Sequence, residues 1–214
     1  VAIEIPESLS ARLTEHWGNP SSAYSFGHKL GEAISSARAK VANYPGVTVE
    51  RRSGMVTGLS QPTELLDLPG TYSLFVTSPD EQVARDVILG KLAGERRPDV
   101  LIAVVDACNL SLGLRLVMEL KSLNRPIVVA LNQMDEARRR GISINTAALS
   151  QAIGMPIIET VAVNSQGVTA LRELLDSYAQ QPPQAEGEQT LALSNRQESV
   201  EALYAEIESL MRQH

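Results

Sequence analysis

Cysteine is nearly absent: the 214 residues contain one, Cys108. A single cysteine excludes an internal disulfide and fits a reducing compartment. Cys108 follows the apolar run ending at Val105, so it reads as a buried, inert thiol rather than a nucleophile. Long hydrophobic runs are also missing. None approaches the ~18–20 residues a membrane span requires, and the N-terminus lacks a signal-peptide pattern, so the chain as given is expected to be soluble. Positive charge is in deficit, with 19 Lys and Arg against 25 Asp and Glu and a formal net charge of -6. No basic stripe is available to neutralise phosphates, and no nucleic-acid partner is expected. Arg51-Arg52, Arg96-Arg97 and Arg138-Arg139-Arg140 read as short solvated clusters. The length suits one α/β domain with an appendage and a sizeable core.

The chain divides into blocks. In residues 1–42, Ser8 to Trp17 and Gly31 to Ala42 read as helices, the second with Ile34, Ala37 and Val41 on one face. Between them lies a turn-rich loop, Gly18 to Gly27. Residues 43–180 alternate strand and helix signals. Thr63–Asp67 is a short strand. Pro79–Leu92 is a helix with Ser78 as N-cap and Glu81 three residues on. The continuous apolar runs Val100–Val105 and Ile127–Leu131 read as strands covered on both faces, and Pro156–Val161 as a third. Leu112–Leu123, Thr146–Ile153 and Val168–Tyr178 read as helices. This alternation predicts a mainly parallel, doubly wound α/β sheet, with ligands outside the carboxyl ends of its strands. Residues 181–193 read as a linker. Ser194 to His214 is a further helix with Val200, Leu203, Ile207 and Leu210 in one stripe.

Three short motifs stand at strand ends or in loops: Asn43-Tyr44-Pro45-Gly46-Val47-Thr48-Val49-Glu50, then Asp67-Leu68-Pro69-Gly70, then Asn132-Gln133-Met134-Asp135. In this order they read as a guanine-nucleotide site. A carboxylate at Asp135 can accept hydrogen bonds from guanine N1–H and the 2-amino group. Adenine would leave it desolvated and unpaired, at a cost on the order of 1–3 kcal/mol. Asn132 would brace the loop or contact the base, and backbone N–H groups around Ala162-Val163-Asn164 would meet the guanine O6. Asp67 can hold a magnesium ion through water, and the Gly70 N–H can approach a terminal phosphate without Cβ hindrance. Thr48, in a loop that closes on the γ-phosphate, would add its hydroxyl to the magnesium. The expected ligands are thus GTP or GDP with Mg2+. Thr71 occupies the place where many GTPases carry a water-orienting glutamine, which predicts slow turnover.

Residues 43–180 closely resemble the cytosolic G domain of the bacterial ferrous iron transport protein B family. The likeness rests on residues 43–50, Asp67 to Leu74, Ser78-Pro79-Asp80-Glu81, Val104-Val105-Asp106-Ala107 and Ala130 to Asp135. It implies a Ras-like three-layer sandwich, a GTP/GDP ligand with Mg2+, and ferrous iron uptake at the cytoplasmic face of the inner membrane. It also implies a transmembrane permease as covalent partner, absent from this chain, and a helical subdomain that residues 194–214 would begin. Self-association is left open. No cluster of Cys, His or carboxylates has ligand spacing, so iron itself is not expected to bind here.

Residues 1–42 depart from that pattern: the Gly-x-x-x-x-Gly-Lys-Ser/Thr phosphate loop is missing. Laying Gly-Asn-Pro-Asn-Ser-Gly-Lys-Thr/Ser on Gly18 to Ser25 puts Ala23 at the second glycine and Tyr24 at the lysine. The cation that neutralises β/γ-phosphate charge is lost, and Ser21 replaces the asparagine this family links to potassium activation. Trp17 to Ser22, Ser25-Phe26-Gly27 and Ala37 to Val41 are more similar to the N-terminal segment of cysteine desulfurases. The cofactor lysine and catalytic cysteine regions of those enzymes are not included, so a fusion near Ala42 is the simplest account. The competing expectation is a nucleotide-free pseudo-GTPase that serves as an interaction module.

Overall fold

Two runs of β-branched and apolar residues set the centre of the molecule. Leu101–Asp106 and Ile127–Asn132 form parallel neighbours in a sheet completed by Ile157–Glu159. The computed structural model describes residues 38–44, 47–68, 70–71, 73–74, 79–92 and 96–180, with side chains from residue 53 onward, Asp80 excepted. The expected helix at Ser8–Trp17, the Gly18–Gly27 loop, the linker and the Ser194–His214 helix lie outside the described residues.

The elements in chain order are β1 (Arg38–Tyr44), β2 (Val47–Val56), β3 (Thr63–Asp67), α1 (Pro79–Leu89), β4 (Leu101–Asp106), α2 (Leu110–Lys121), β5 (Ile127–Asn132), α3 (Met134–Arg139), α4 (Thr146–Ile153), β6 (Ile157–Glu159) and α5 (Val168–Ala179). Single 3-10 turns follow β4 at Ala107–Asn109 and β6 at Ala162–Asn164.

The sheet is not the single, mostly parallel one expected. Among the described residues there are two three-stranded sheets, β1-β2-β3 and β4-β5-β6. The first is antiparallel throughout; only the second is parallel. Arg38 to Ala42, expected at the end of a helix, are instead β1, paired residue for residue from Arg38↔Ser53 to Tyr44↔Val47. Local propensity in Arg-Ala-Lys-Val-Ala is mildly helical, but β2 offers a complete edge, and pairing overrides so weak a preference.

All six β5 positions are buried, because helices cover both faces. On one face α2 presents the stripe Leu110, Leu114, Val117 and Leu120 to a cluster holding Val105, Val129, Leu131 and Ile153. On the other, α5 contributes Val168, Leu171 and Leu175, which pack with Val128, Ala130 and β2's Val56. That cluster joins the antiparallel sheet to the parallel one. The α1 helix adds Val83 and Val87 against Leu66 and Leu68 of the β3 exit. No helix among the described residues is long and apolar enough to cross a membrane.

Candidate functional site

The parallel strands finish level with one another: Asp106 lies opposite Asn132, and Leu131 opposite Glu159. Their exit loops therefore open along one edge, the usual ligand side of such a sheet. Asp106 caps the turn that leaves β4. Its Oδ1 accepts the Cys108 N–H at 2.7 Å and its Oδ2 the Asn109 side-chain amide at 3.0 Å. Burial pushes the Cys108 thiol up, and the negative charge of Asp106 adds to the rise. The thiol is therefore held protonated, the inert state.

Asn132 is a buried polar side chain, 2% exposed, and it must find partners there. It does so across the sheet. Its Oδ1 accepts the Ala162 N–H at 3.0 Å and the Thr160 hydroxyl at 3.2 Å, and the Thr160 N–H donates to the Leu131 carbonyl at 2.8 Å. The loop after β5 and the loop after β6 are thereby fixed to each other. Gln133 turns the corner in the left-handed region at φ 64, and Met134 then drops into the core.

Asp135 follows in the first turn of α3, exposed to solvent. Its charged neighbours are occupied: Glu136 pairs with Arg139 and Arg140, and Arg138 with Glu159. Asp135 takes no hydrogen bond or ion pair from the described residues. Val163 is 66% exposed, and the Asn164 side chain accepts the Gln166 N–H at 3.1 Å.

On the other side, Asp67 ends β3, half-buried, with Arg52 as its register partner. Leu68 packs against both the α1 cluster and the cluster beneath α2. Gly70 is exposed, and Pro69 lies outside the described residues. The Thr71 hydroxyl is turned into its own loop, donating to the Ser73 carbonyl at 2.6 Å and accepting the Ser73 N–H at 3.3 Å.

Gly46 lies outside the described residues, and Val47, Thr48, Val49 and Glu50 are described as backbone only. The closing loop expected around Thr48 is strand: Thr48 pairs with Asn43. It stands four residues along β2 from Arg52, the partner of Asp67. At ~3.4 Å per residue that separation is about 14 Å. As arranged here, Thr48 and Asp67 do not fit a shared magnesium ion. Among the described residues no group of three or more His, Cys, Asp and Glu side chains could hold a metal.

Three residues escape the motif-based reading. Thr160, fully buried, completes the Asn132 brace. Glu159 ties α3 and α4 to β6, its Oε2 accepting from Arg138 at 2.6 Å and its Oε1 from the Thr146 hydroxyl at 2.9 Å. Gly167 sits at φ 82, and a Cβ there would collide with the Glu159 carbonyl oxygen. Their signal was present as a polar Glu-Thr pair ending an apolar run and a glycine opening the next helix.

A family model described as ferrous iron transport protein B matches residues 17–175. This chain belongs to the ferrous iron transport protein B family. The match begins ahead of the Gly18–Ser25 loop and runs into α5. The Fe(2+) transporter FeoB of Escherichia coli is 41% identical over 165 residues, 75% of this chain and 20% of that protein. A Porphyromonas gingivalis Fe(2+) transport protein A/Fe(2+) transporter FeoB fusion protein is 41% identical over 143 residues, 67% of this chain and 16% of that one. The chain thus spans a fifth or less of these curated FeoB relatives. Among solved structures, the cytosolic domain of the T. maritima FeoB iron transporter in GMPPNP form superposes with a TM-score of 0.65 at 35% identity, covering 73% of this chain and 60% of that chain. The G domain of the same transporter gives a TM-score of 0.62 at 35% identity, covering 72% of this chain and 91% of that chain. The P-loop GTPase fold follows from these FeoB neighbours.

Proposed function

We propose that this chain is the guanine-nucleotide-binding G domain of a ferrous iron transporter, with a degenerate phosphate loop. In the full-length protein its nucleotide state would be coupled to Fe2+ uptake through a transmembrane permease. The observation that carries the reading is the Asn132 brace. It holds the corner that leads into α3, where Asp135 stands, against the turn bearing Ala162, and no described residue hydrogen-bonds or ion-pairs with the Asp135 carboxylate. A free carboxylate on a braced loop is what a purine with an N1–H and a 2-amino group requires.

The Ala162 N–H is taken by Asn132 and the Asn164 N–H by the Val161 carbonyl. The O6 donor in this stretch therefore falls to the Val163 N–H, with the exposed Val163 side chain beside the base. Family membership and neighbours solved with GMPPNP and GDP support the same reading. Gly70 would present its N–H toward the terminal phosphate. Thr48 would have to leave the β1 ladder to join Asp67 at a magnesium ion.

The test is Asp135→Asn, titrated with GDP and with XDP. Xanthine carries a carbonyl where guanine has its 2-amino group, so a carboxamide pairs with it and a carboxylate does not. The unaltered chain should prefer GDP and the variant XDP; unchanged GDP affinity in the variant rejects the site.

Tyr24 in the lysine position favours a second reading, a nucleotide-free interaction module. Ala23→Gly with Tyr24→Lys separates the two. It strengthens GDP binding if residues 18–25 already wrap the phosphate position, and changes nothing if the domain has no nucleotide site.

A further inference from the structure

Glu119 is the one charged residue buried among the described residues, at 7% exposure on α2. A carboxylate in that place needs a reason. Burying a charge is costly unless it is paired and hydrogen-bonded, and an apolar side chain there would simply widen the Leu114, Val117 and Leu120 stripe. The compensation comes mostly from one segment. The Leu74 N–H donates to Glu119 Oε2 at 2.6 Å, and the Ser73 hydroxyl reaches both oxygens at 2.9 and 3.0 Å. Arg115, one turn earlier on α2, adds its Nε at 3.3 Å. Leu74 itself is buried in the cluster beneath α2. These are charge-assisted bonds, the stronger class.

The chain of contacts runs on toward the candidate site. Ser73 is held by Glu119, and Ser73 in turn holds Thr71, whose hydroxyl is bonded to the Ser73 carbonyl and N–H. Thr71 is the neighbour of Gly70. Resting on the guanine-nucleotide reading above, we propose that Glu119 is a positioning residue for the γ-phosphate side of the site. It pins the downstream end of the Asp67–Thr71 segment to α2, so that the Gly70 N–H is presented at a preset place. Losing the latch should therefore weaken the triphosphate state selectively, because GDP has no γ-phosphate for that amide to meet.

The experiment uses Glu119→Leu, which keeps bulk and removes both acceptors, and Glu119→Gln, which keeps one acceptor for the Leu74 N–H. Affinities for GMPPNP and GDP are measured by competition, together with amide hydrogen exchange at Leu74. Glu119→Leu should lose about tenfold in GMPPNP affinity relative to GDP and should deprotect the Leu74 amide; Glu119→Gln should recover most of both. Equal losses for the two nucleotides would make Glu119 merely structural and overturn the proposal. A Leu74 amide equally protected in the Leu variant would do the same. If the unaltered chain binds neither nucleotide, the guanine-site reading fails and the phosphate role of Glu119 with it. If the unaltered chain binds nucleotide but its Leu74 amide is already unprotected, the latch alone is overturned.

Discussion

Replacing Asn132 with alanine removes the acceptor on which two loops converge. The Ala162 N–H and the Thr160 hydroxyl donate to that single oxygen at 3.0 and 3.2 Å, in a setting where Thr160 is fully buried. With Asn132→Ala both donors lose their partner and water cannot easily replace it. An orphaned buried donor costs about 1–3 kcal/mol, so the pair should cost about 2–6 kcal/mol. In a domain of ~150–250 residues each kcal/mol moves the melting temperature by about 2–4 °C, which predicts a fall of about 4–24 °C. Calorimetry reads this directly. Asn132→Asp keeps an acceptor in place and should fall less. Thr160→Val removes one donor and leaves the Ala162 bond, so it should cost only about 1 kcal/mol. The two positions share one oxygen, so a double-mutant cycle should show coupling of at least about 0.5 kcal/mol. A melting temperature within about 2 °C of the parent for Asn132→Ala would refute the brace.

Gly167→Ala should destabilise by about 2 kcal/mol or more, because its φ of 82 disfavours a Cβ and the methyl group would strike the Glu159 carbonyl; urea unfolding checks this. Cys108 should alkylate more slowly at pH 8 than a free thiol, since burial and the Asp106 charge raise its pKa and deplete the thiolate; a timed iodoacetamide reaction on the folded chain is the assay. Asp176 accepts the Ser60 N–H at 2.6 Å and its hydroxyl at 2.7 Å, and these bonds hold its carboxyl below the ordinary value. The stability it contributes is present above the ordinary carboxylate pKa and is lost as pH falls through the depressed folded one. Asp176→Asn should therefore lower the melting temperature at pH 7, with a gap from the parent that closes toward pH 2.

The strands of the parallel sheet were readable because their burial demands it. Val100–Val105 and Ile127–Leu131 are apolar at every position, as strands covered on both faces are; β5 is buried throughout, whereas alternate residues of β4 are only partly covered. Thr146–Ile153 matches its predicted bounds residue for residue, for its Asn145 cap and Gly154 stop are local signals. The α3 helix was missed because Met-Asp-Glu-Ala-Arg-Arg has no periodic stripe; burial of Met134 and Ala137, the Glu136 pairs with Arg139 and Arg140, and the Arg138–Glu159 pair hold it. The β1 strand was missed because its identity depends on β2, not on its own residues. Thr48 was assigned to a loop on motif grounds, although Val47-Thr48-Val49 carries β-branched residues that suit the ladder it joins. At the candidate site, Asn132 and Asp135 stood out from spacing, whereas Thr160, Glu159 and Glu119 act through contacts 13 to 46 residues away in sequence. No local pattern announces such partners.

The most direct measurement is a titration with a fluorescent GDP analogue, competed separately by GDP and by ADP. The braced Asn132 corner, with no described residue paired to the Asp135 carboxylate, predicts saturable binding displaced by GDP at concentrations where ADP has no effect. Absence of binding, or equal displacement by the two nucleotides, would contradict the assignment of this edge of the sheet to a guanine base.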